Sequence, residues 1–91
     1  MDIPKTWEEF VDMTYIGYMS LFSTQIQKLY RDRAIKEKGF HYDGYYYEKG
    51  GKIYRCFFNG VKTLLFKDLS IKQMFVFIEN LENKNFLEEV K

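Results

Sequence analysis

Ninety-one residues, 46 % of them apolar and 30 % charged, with a net charge of +1, suffice for one domain and not for two. Aromatic residues make up 20 % of the chain, and each buries about 150–250 Å², so a small core can be filled without staples. The single Cys56 excludes an internal disulfide, and one Cys with one His cannot supply the three or four ligands of a zinc site. No apolar run approaches the ~18 residues of a membrane span.

The opening segment, MDIPKTWEE, is acidic where a secretion signal would be basic and then apolar. A cytoplasmic protein with a reduced thiol is therefore the expectation. Thr6 and Glu9 form a T-x-x-E capping box, and Glu8, Glu9 and Asp12 suit the positive end of a helix dipole. Apolar residues then recur at helical spacing from Trp7 to Tyr30, which predicts N-terminal helix over about 6–36. A straight helix of that length would span about 45 Å, too long for so small a domain. The spacing predicts two helices or one bent one, with Gly17 and the Ser20–Thr24 region as break points and Ser23 as a second cap. Gly39 is expected to close the segment as a C-cap residue.

Three strands are predicted at about 45–49, 52–59 and 61–67, joined by two-residue turns at Gly50-Gly51 and Asn59-Gly60. On that register Tyr47 pairs with Tyr54, and Phe58 with Val61. One face then carries Tyr45, Tyr47, Tyr54, Cys56, Phe58, Val61, Thr63 and Leu65. The opposite face carries Tyr46, Glu48, Ile53, Arg55, Phe57, Lys62, Leu64 and Phe66. Ser70 with Gln73 opens a last helix over about 70–83, with Ile71, Met74, Phe75, Ile78 and Leu81 as its buried stripe. Asn83–Asn85 is expected to interrupt it before Phe86, Leu87 and Val90. The fold class is α+β, a single domain in the order α(α)-β-β-β-α, with helices packed on an antiparallel meander.

Charge is unevenly spread along the chain. Residues 1–22 net −3, residues 23–67 net +6 and residues 68–91 net −2. The mixed sheet face, with Arg55 and Lys62 among Tyr46, Phe57 and Phe66, is the first candidate binding surface. Cations beside exposed rings are what nucleic-acid-binding sheets use, charge on phosphate and rings on bases. The bland alternative has helices covering this face and Arg55 paired to Glu48. The second candidate is the basic stretch Lys28, Arg31, Arg33, Lys36 and Lys38, which as plain chemistry is a solvated helix end. The third is surplus apolar surface at Tyr15, Tyr18, Met19, Phe22, Phe75, Phe77, Phe86 and Leu87, suited to a protein partner or a homodimer.

Chemistry is otherwise sparse. His41 beside Asp43 is the one candidate general base, and spacing places no nucleophile or second carboxylate with it, so a surface turn histidine is expected. GxGxxG and GxxxxGK[ST] are absent, as is the RNP1 pattern. No catalytic residue, metal or cofactor is assigned, and no membrane partner. Composition rich in Lys, Asn, Ile and Tyr matches low-G+C bacteria and their phages. The leading expectation is a non-enzymatic protein-binding module, an inhibitor or regulator of phage or mobile-element origin. The alternative is a nucleic-acid-binding domain using the same sheet face and the basic helix end.

Overall fold

Thr6 caps the first helix as its sequence requires: its hydroxyl accepts from the Glu9 N–H at 3.1 Å. In a computed structural model that describes residues 3–82, this cap opens α1 (Trp7–Phe10). The helix widens into a π-helical stretch over Val11–Ile16 and tightens into a 3₁₀ turn over Gly17–Met19. The buried Thr14 hydroxyl donates back to the Phe10 carbonyl within the widened stretch, a local bond that competes with regular helix. The chain then turns, and Ser23 caps α2 (Thr24–Glu37) by accepting from the Ile26 N–H at 3.3 Å. An unbroken helix of about 45 Å would outrun the molecule's longest dimension of 39 Å.

Four strands follow: β1 (Gly39–Tyr42), β2 (Tyr45–Glu48), β3 (Lys52–Cys56) and β4 (Lys62–Phe66). They form one antiparallel sheet in sequential order. The last helix, α3 (Ile71–Glu82), opens with a reciprocal capping box. The Ser70 N–H donates to Gln73 Oε1 at 2.8 Å, and the Gln73 N–H donates to Ser70 Oγ at 3.1 Å. The expected interruption at Asn83–Asn85 lies outside the described residues. The α+β class, the broken N-terminal helix and the C-terminal helix agree with the sequence reading; the sheet has four strands where three were expected.

The additional strand is β1. Asp43-Gly44 forms a two-residue turn with both φ positive, at 53° and 85°, which pairs Tyr42 with Tyr45. Gly39 is accordingly a strand residue and not the helix cap. Lys38 takes the left-handed cap position at φ 58°, and its amide donates to the Ala34 carbonyl. A Cβ at Gly39 would meet the Tyr46 hydroxyl, the far end of a side chain that would have to move aside.

Both predicted turns reverse the chain, but each does so with three residues. Glu48 pairs with Lys52 around Lys49-Gly50-Gly51. Around Phe58-Asn59-Gly60, the Phe57 N–H donates to the Val61 carbonyl at 3.0 Å. Asn59 Oδ1 accepts from the Val61 N–H at 3.1 Å, and Gly60 takes the left-handed position at φ 83° that a three-residue loop calls for. Each loop shifts the pairing by one residue. Tyr47 therefore pairs with Ile53 and Tyr46 with Tyr54. A bulge opposite Ile53 and Tyr54 turns the end of β4, so that Ile53 pairs with Phe66.

The inner face carries Phe40, Tyr47 and Ile53, all buried against Trp7, Phe10 and Val11 from the N-terminal helix and Met74, Phe75, Ile78 and Leu81 from α3. Rings dominate the packing. Tyr15 stacks on Phe40 with centroids 4.7 Å apart, and Phe77 meets Tyr45 at 5.3 Å and Phe66 at 5.6 Å. Among the described residues the buried Trp7 Nε1 and Tyr47 hydroxyl have no hydrogen-bond partner. Burial first, then the neighbouring Tyr45 and Asp43, pushes the Tyr47 phenol far above its ordinary value of 10.0.

Candidate functional site

The one-residue shifts divide the mixed face that the sequence reading assembled. Tyr46, Glu48, Lys62 and Leu64 share the outer face with His41, Tyr54 and Cys56, whereas Ile53, Arg55 and Phe66 belong to the inner side. Arg55 and Lys62 thus stand on opposite faces of the sheet, and the single aromatic-basic surface does not exist in its predicted form.

Each of the two cations is engaged within the molecule. The Lys62 ammonium lies 4.7 Å from the centre of the Tyr46 ring and 5.4 Å from that of Tyr54. Arg55 donates to the Gly44 carbonyl at 3.1 Å and lies over Tyr45 at 4.9 Å and Phe57 at 5.7 Å. Its partner is not Glu48, which instead lies 3.8 Å from the Lys52 ammonium. Bases that stack on a protein need open ring faces. Lys62 occupies those of Tyr46 and Tyr54, and His41 packs on Tyr46 at 4.7 Å.

The basic stretch of α2 is partly neutralised in the same way. Arg31 binds Asp12 at 2.7 Å, which ties α2 to the preceding helix and raises the guanidinium pKa further, chiefly through that hydrogen bond. Arg33 pairs with Glu37 at 3.3 Å, one turn on. Lys28 is exposed. Beside α2, a groove of about 350 Å³ runs along the β1 edge, lined by Tyr30, Arg33, Glu37, His41, Tyr46 and Lys62 among others. Burial, then Glu48 and Glu37, raises the Tyr46 phenol above its ordinary value.

The sheet also brings together two groups that spacing alone leaves apart. Cys56 Sγ lies 3.7 Å from His41 Nδ1, from β3 to β1 across the turn end of β2. Asp43-Gly44 was the legible signal for this contact, since the turn it makes creates β1 and carries His41 onto the outer face. Among the described residues no cluster of three His, Cys, Asp or Glu side chains is able to hold a metal, and no helix is long and apolar enough to cross a membrane.

Apolar exposure is concentrated on the β3–β4 hairpin. Phe58 at its tip is fully exposed, and Phe57, Val61, Leu64, Leu65 and Phe66 each keep between 43 and 51 % of their surface. Every residue of β4 is exposed, and β4 is the terminal strand of the sheet. The Phe57-to-Val61 bond sets the phase of the ladder, so Arg55 and Thr63 form the next bonded pair, while the backbone groups of Lys62 and Leu64 point outward. A second exposed apolar group lies at the helix break, where Leu21, Phe22, Ile26 and Leu29 surround the start of α2. Of α2 itself only Ala34 is buried. Of the predicted surplus, Phe75 is in the core, Phe77 and Tyr15 pack against it, Tyr18 stacks on Tyr42 at 4.8 Å, Met19 is half-buried and Phe22 stays exposed, while Phe86 and Leu87 lie outside the described residues.

No family model, curated protein or solved structure matches this chain.

Proposed function

We propose that this chain is a non-enzymatic protein-binding module whose contact surface is the β3–β4 hairpin and the open edge of β4. The observation that carries the reading is that β4 combines backbone donors and acceptors that no other described strand pairs with apolar side chains that the described residues leave uncovered. Natural sheets guard such edges with charge, proline, bulges or covering segments; the bulge in β4 comes only after Leu64 and leaves the stretch from Lys62 to Leu64 straight. The one charged residue of β4, Lys62, is instead folded back over Tyr46 and Tyr54. Contiguous exposed apolar surface of this kind marks partner sites, and strand addition at a free edge is a recurring mode of protein recognition.

A contact of this chemistry tolerates salt and rests on a few apolar anchors. The test is affinity capture from a cell lysate with the wild type and with Phe58→Ser and Val61→Ser. A stoichiometric partner retained at high salt by the wild type and released by the variants is the expected result. No partner, or one retained equally by all three proteins, overturns the reading. Binding to labelled single strands with a log–log salt slope near −0.7 per phosphate, lost on Lys62→Ala, would transfer the function to nucleic acid.

A further inference from the structure

We infer that the partner of the β3–β4 hairpin presents an acidic segment, whose carboxylate, set beside an apolar side chain, is received by Arg55 at the hairpin tip; this rests on the protein-binding reading. The hairpin is one-sided in charge. From Lys52 to Lys67 it carries four cations, Lys52, Arg55, Lys62 and Lys67, and no Asp or Glu. Lys52 faces Glu48 at 3.8 Å, and Lys62 is folded over its two tyrosine rings. Among the described residues Arg55 has no acid partner, and no ion pair joins it to Asp43 in the neighbouring turn.

The Asp43-Gly44 turn and the Phe58-Asn59-Gly60 loop lie at the same end of the sheet, where the Cys56 N–H donates to the Gly44 carbonyl at 2.9 Å. Between them opens a hollow of about 310 Å³ lined by Gly44, Arg55, Cys56, Phe57 and Phe58. Arg55 is the one cation among these residues, and it is half-buried. A guanidinium carries five N–H groups, and the Gly44 carbonyl takes one of them at 3.1 Å. The rings of Tyr45 and Phe57, 4.9 and 5.7 Å away, hold the group in place. A fork already fixed by stacking loses little freedom on binding. Its parallel N–H groups match the two oxygens of a carboxylate, and the apolar walls beside it weaken screening by water.

A phosphate chain calls for a different layout, with cations in a row along the strand and open rings for the bases. Here Arg55 and Lys62 stand on opposite faces of the sheet, and Lys62 itself covers the rings beside it. A single guanidinium among Phe57, Phe58 and Cys56 instead fits a single carboxylate with an apolar neighbour. Phe57 is about half exposed and Phe58 fully so, and these rings are the anchors that hold the partner. Arg55 then selects which partner they hold, since charge complementarity acts on specificity and association rate more than on raw affinity.

Selection of a random-peptide phage library against the immobilised full chain tests the inference. The recovered peptides are expected to carry Asp or Glu beside an aromatic or aliphatic residue. A labelled synthetic peptide of the recovered sequence is then titrated with the protein by fluorescence anisotropy. Exchanging its acid for the matching amide is expected to weaken binding to the wild type by about tenfold or more. Arg55→Gln is expected to weaken the acidic peptide by a similar factor and to leave the amide peptide unchanged, while Phe58→Ser weakens both. Circular dichroism checks the fold of the variants, and the acid-to-amide exchange carries the test should Arg55→Gln fail to fold. Recovered peptides without acids, or an acidic peptide indifferent to both changes, overturn the inference. If Phe58→Ser still releases such a peptide, the protein-binding reading stands without the acidic partner. Displacement of the acidic peptide by oligothymidylate at low salt overturns the inference in favour of phosphate. Recovery of no peptide also overturns it, and failure of lysate capture as well removes the protein-binding reading with it.

Discussion

Lys62 on β4 reaches across β3 to place its ammonium 4.7 Å from the centre of the Tyr46 ring on β2. The side chain best placed to protect the sheet edge is thereby turned away from it. The same contact that fastens the outer face leaves Thr63, Leu64, Leu65 and Phe66 as the side chains along the open strand.

Replacing Lys62 with Gln should remove the interaction with Tyr46 and Tyr54 and lower stability by about 0.5–1 kcal/mol. Urea unfolding of the two proteins measures it. An unchanged midpoint would mean that the ammonium contributes nothing where it lies.

The Lys49-Gly50-Gly51 loop predicts an asymmetry between adjacent glycines. Both have positive φ, 105° and 95°, but a Cβ on Gly50 meets open space while one on Gly51 runs into the backbone of Leu69. Gly50→Ala should cost about 1–2 kcal/mol. Gly51→Ala should cost more than about 3 kcal/mol, since it also displaces the Leu69 N–H from the Gly51 carbonyl, now 3.1 Å away. Equal thermal midpoints for the two variants would contradict the close approach of Leu69 to Gly51.

Tyr47→Phe should leave stability at pH 7 unchanged or raise it by up to about 1 kcal/mol, because the buried hydroxyl has no partner among the described residues. In alkali the wild type should weaken. The folded-state value of Tyr47 lies well above its ordinary 10.0, so the protonated phenol adds full stability below that pH. Above it the unfolded chain ionises first, and stability falls by about 1.4 kcal/mol per pH unit for this group. Tyr46 and Tyr15, also raised chiefly by burial, act in the same direction. Denaturant titrations from pH 8 to beyond about pH 10 should show a shallower decline for Tyr47→Phe; parallel curves would contradict the assignment.

Ser23→Ala should destabilise by about 1 kcal/mol through loss of the cap on α2. That helix buries only Ala34 fully, so little packing compensates. Chemical denaturation checks the value, and a change below a few tenths of a kcal/mol would show that α2 is held by its contacts alone.

The parts of the fold legible in the sequence are those governed by neighbours in the chain. Thr6, Ser23 and Ser70 cap helices because a side-chain oxygen three residues from an orphan N–H needs no tertiary help. The glycine dipeptides mark reversals for the same reason. Asp43-Gly44 was equally readable and yields β1, the strand the three-stranded reading lacked. The candidate site was less legible. Arg55, Lys62, Tyr46, Phe57 and Phe66 were grouped on one surface by assuming two-residue loops, and a shift of one residue inverts every side chain on a strand.

By itself, the sequence determined where helices begin, where the chain reverses and that the class is α+β, because these depend on bonds a few residues long. The tertiary structure alone decided loop length, and with it which side chains share a face. The Gly51 carbonyl is bonded to Leu69, eighteen positions on, and Phe66 turns inward through a bulge to meet Phe77 on α3. Those contacts join segments distant in the chain, so their free energy is invisible to any local pattern, yet they set which side chains of β4 stand on each face of the sheet.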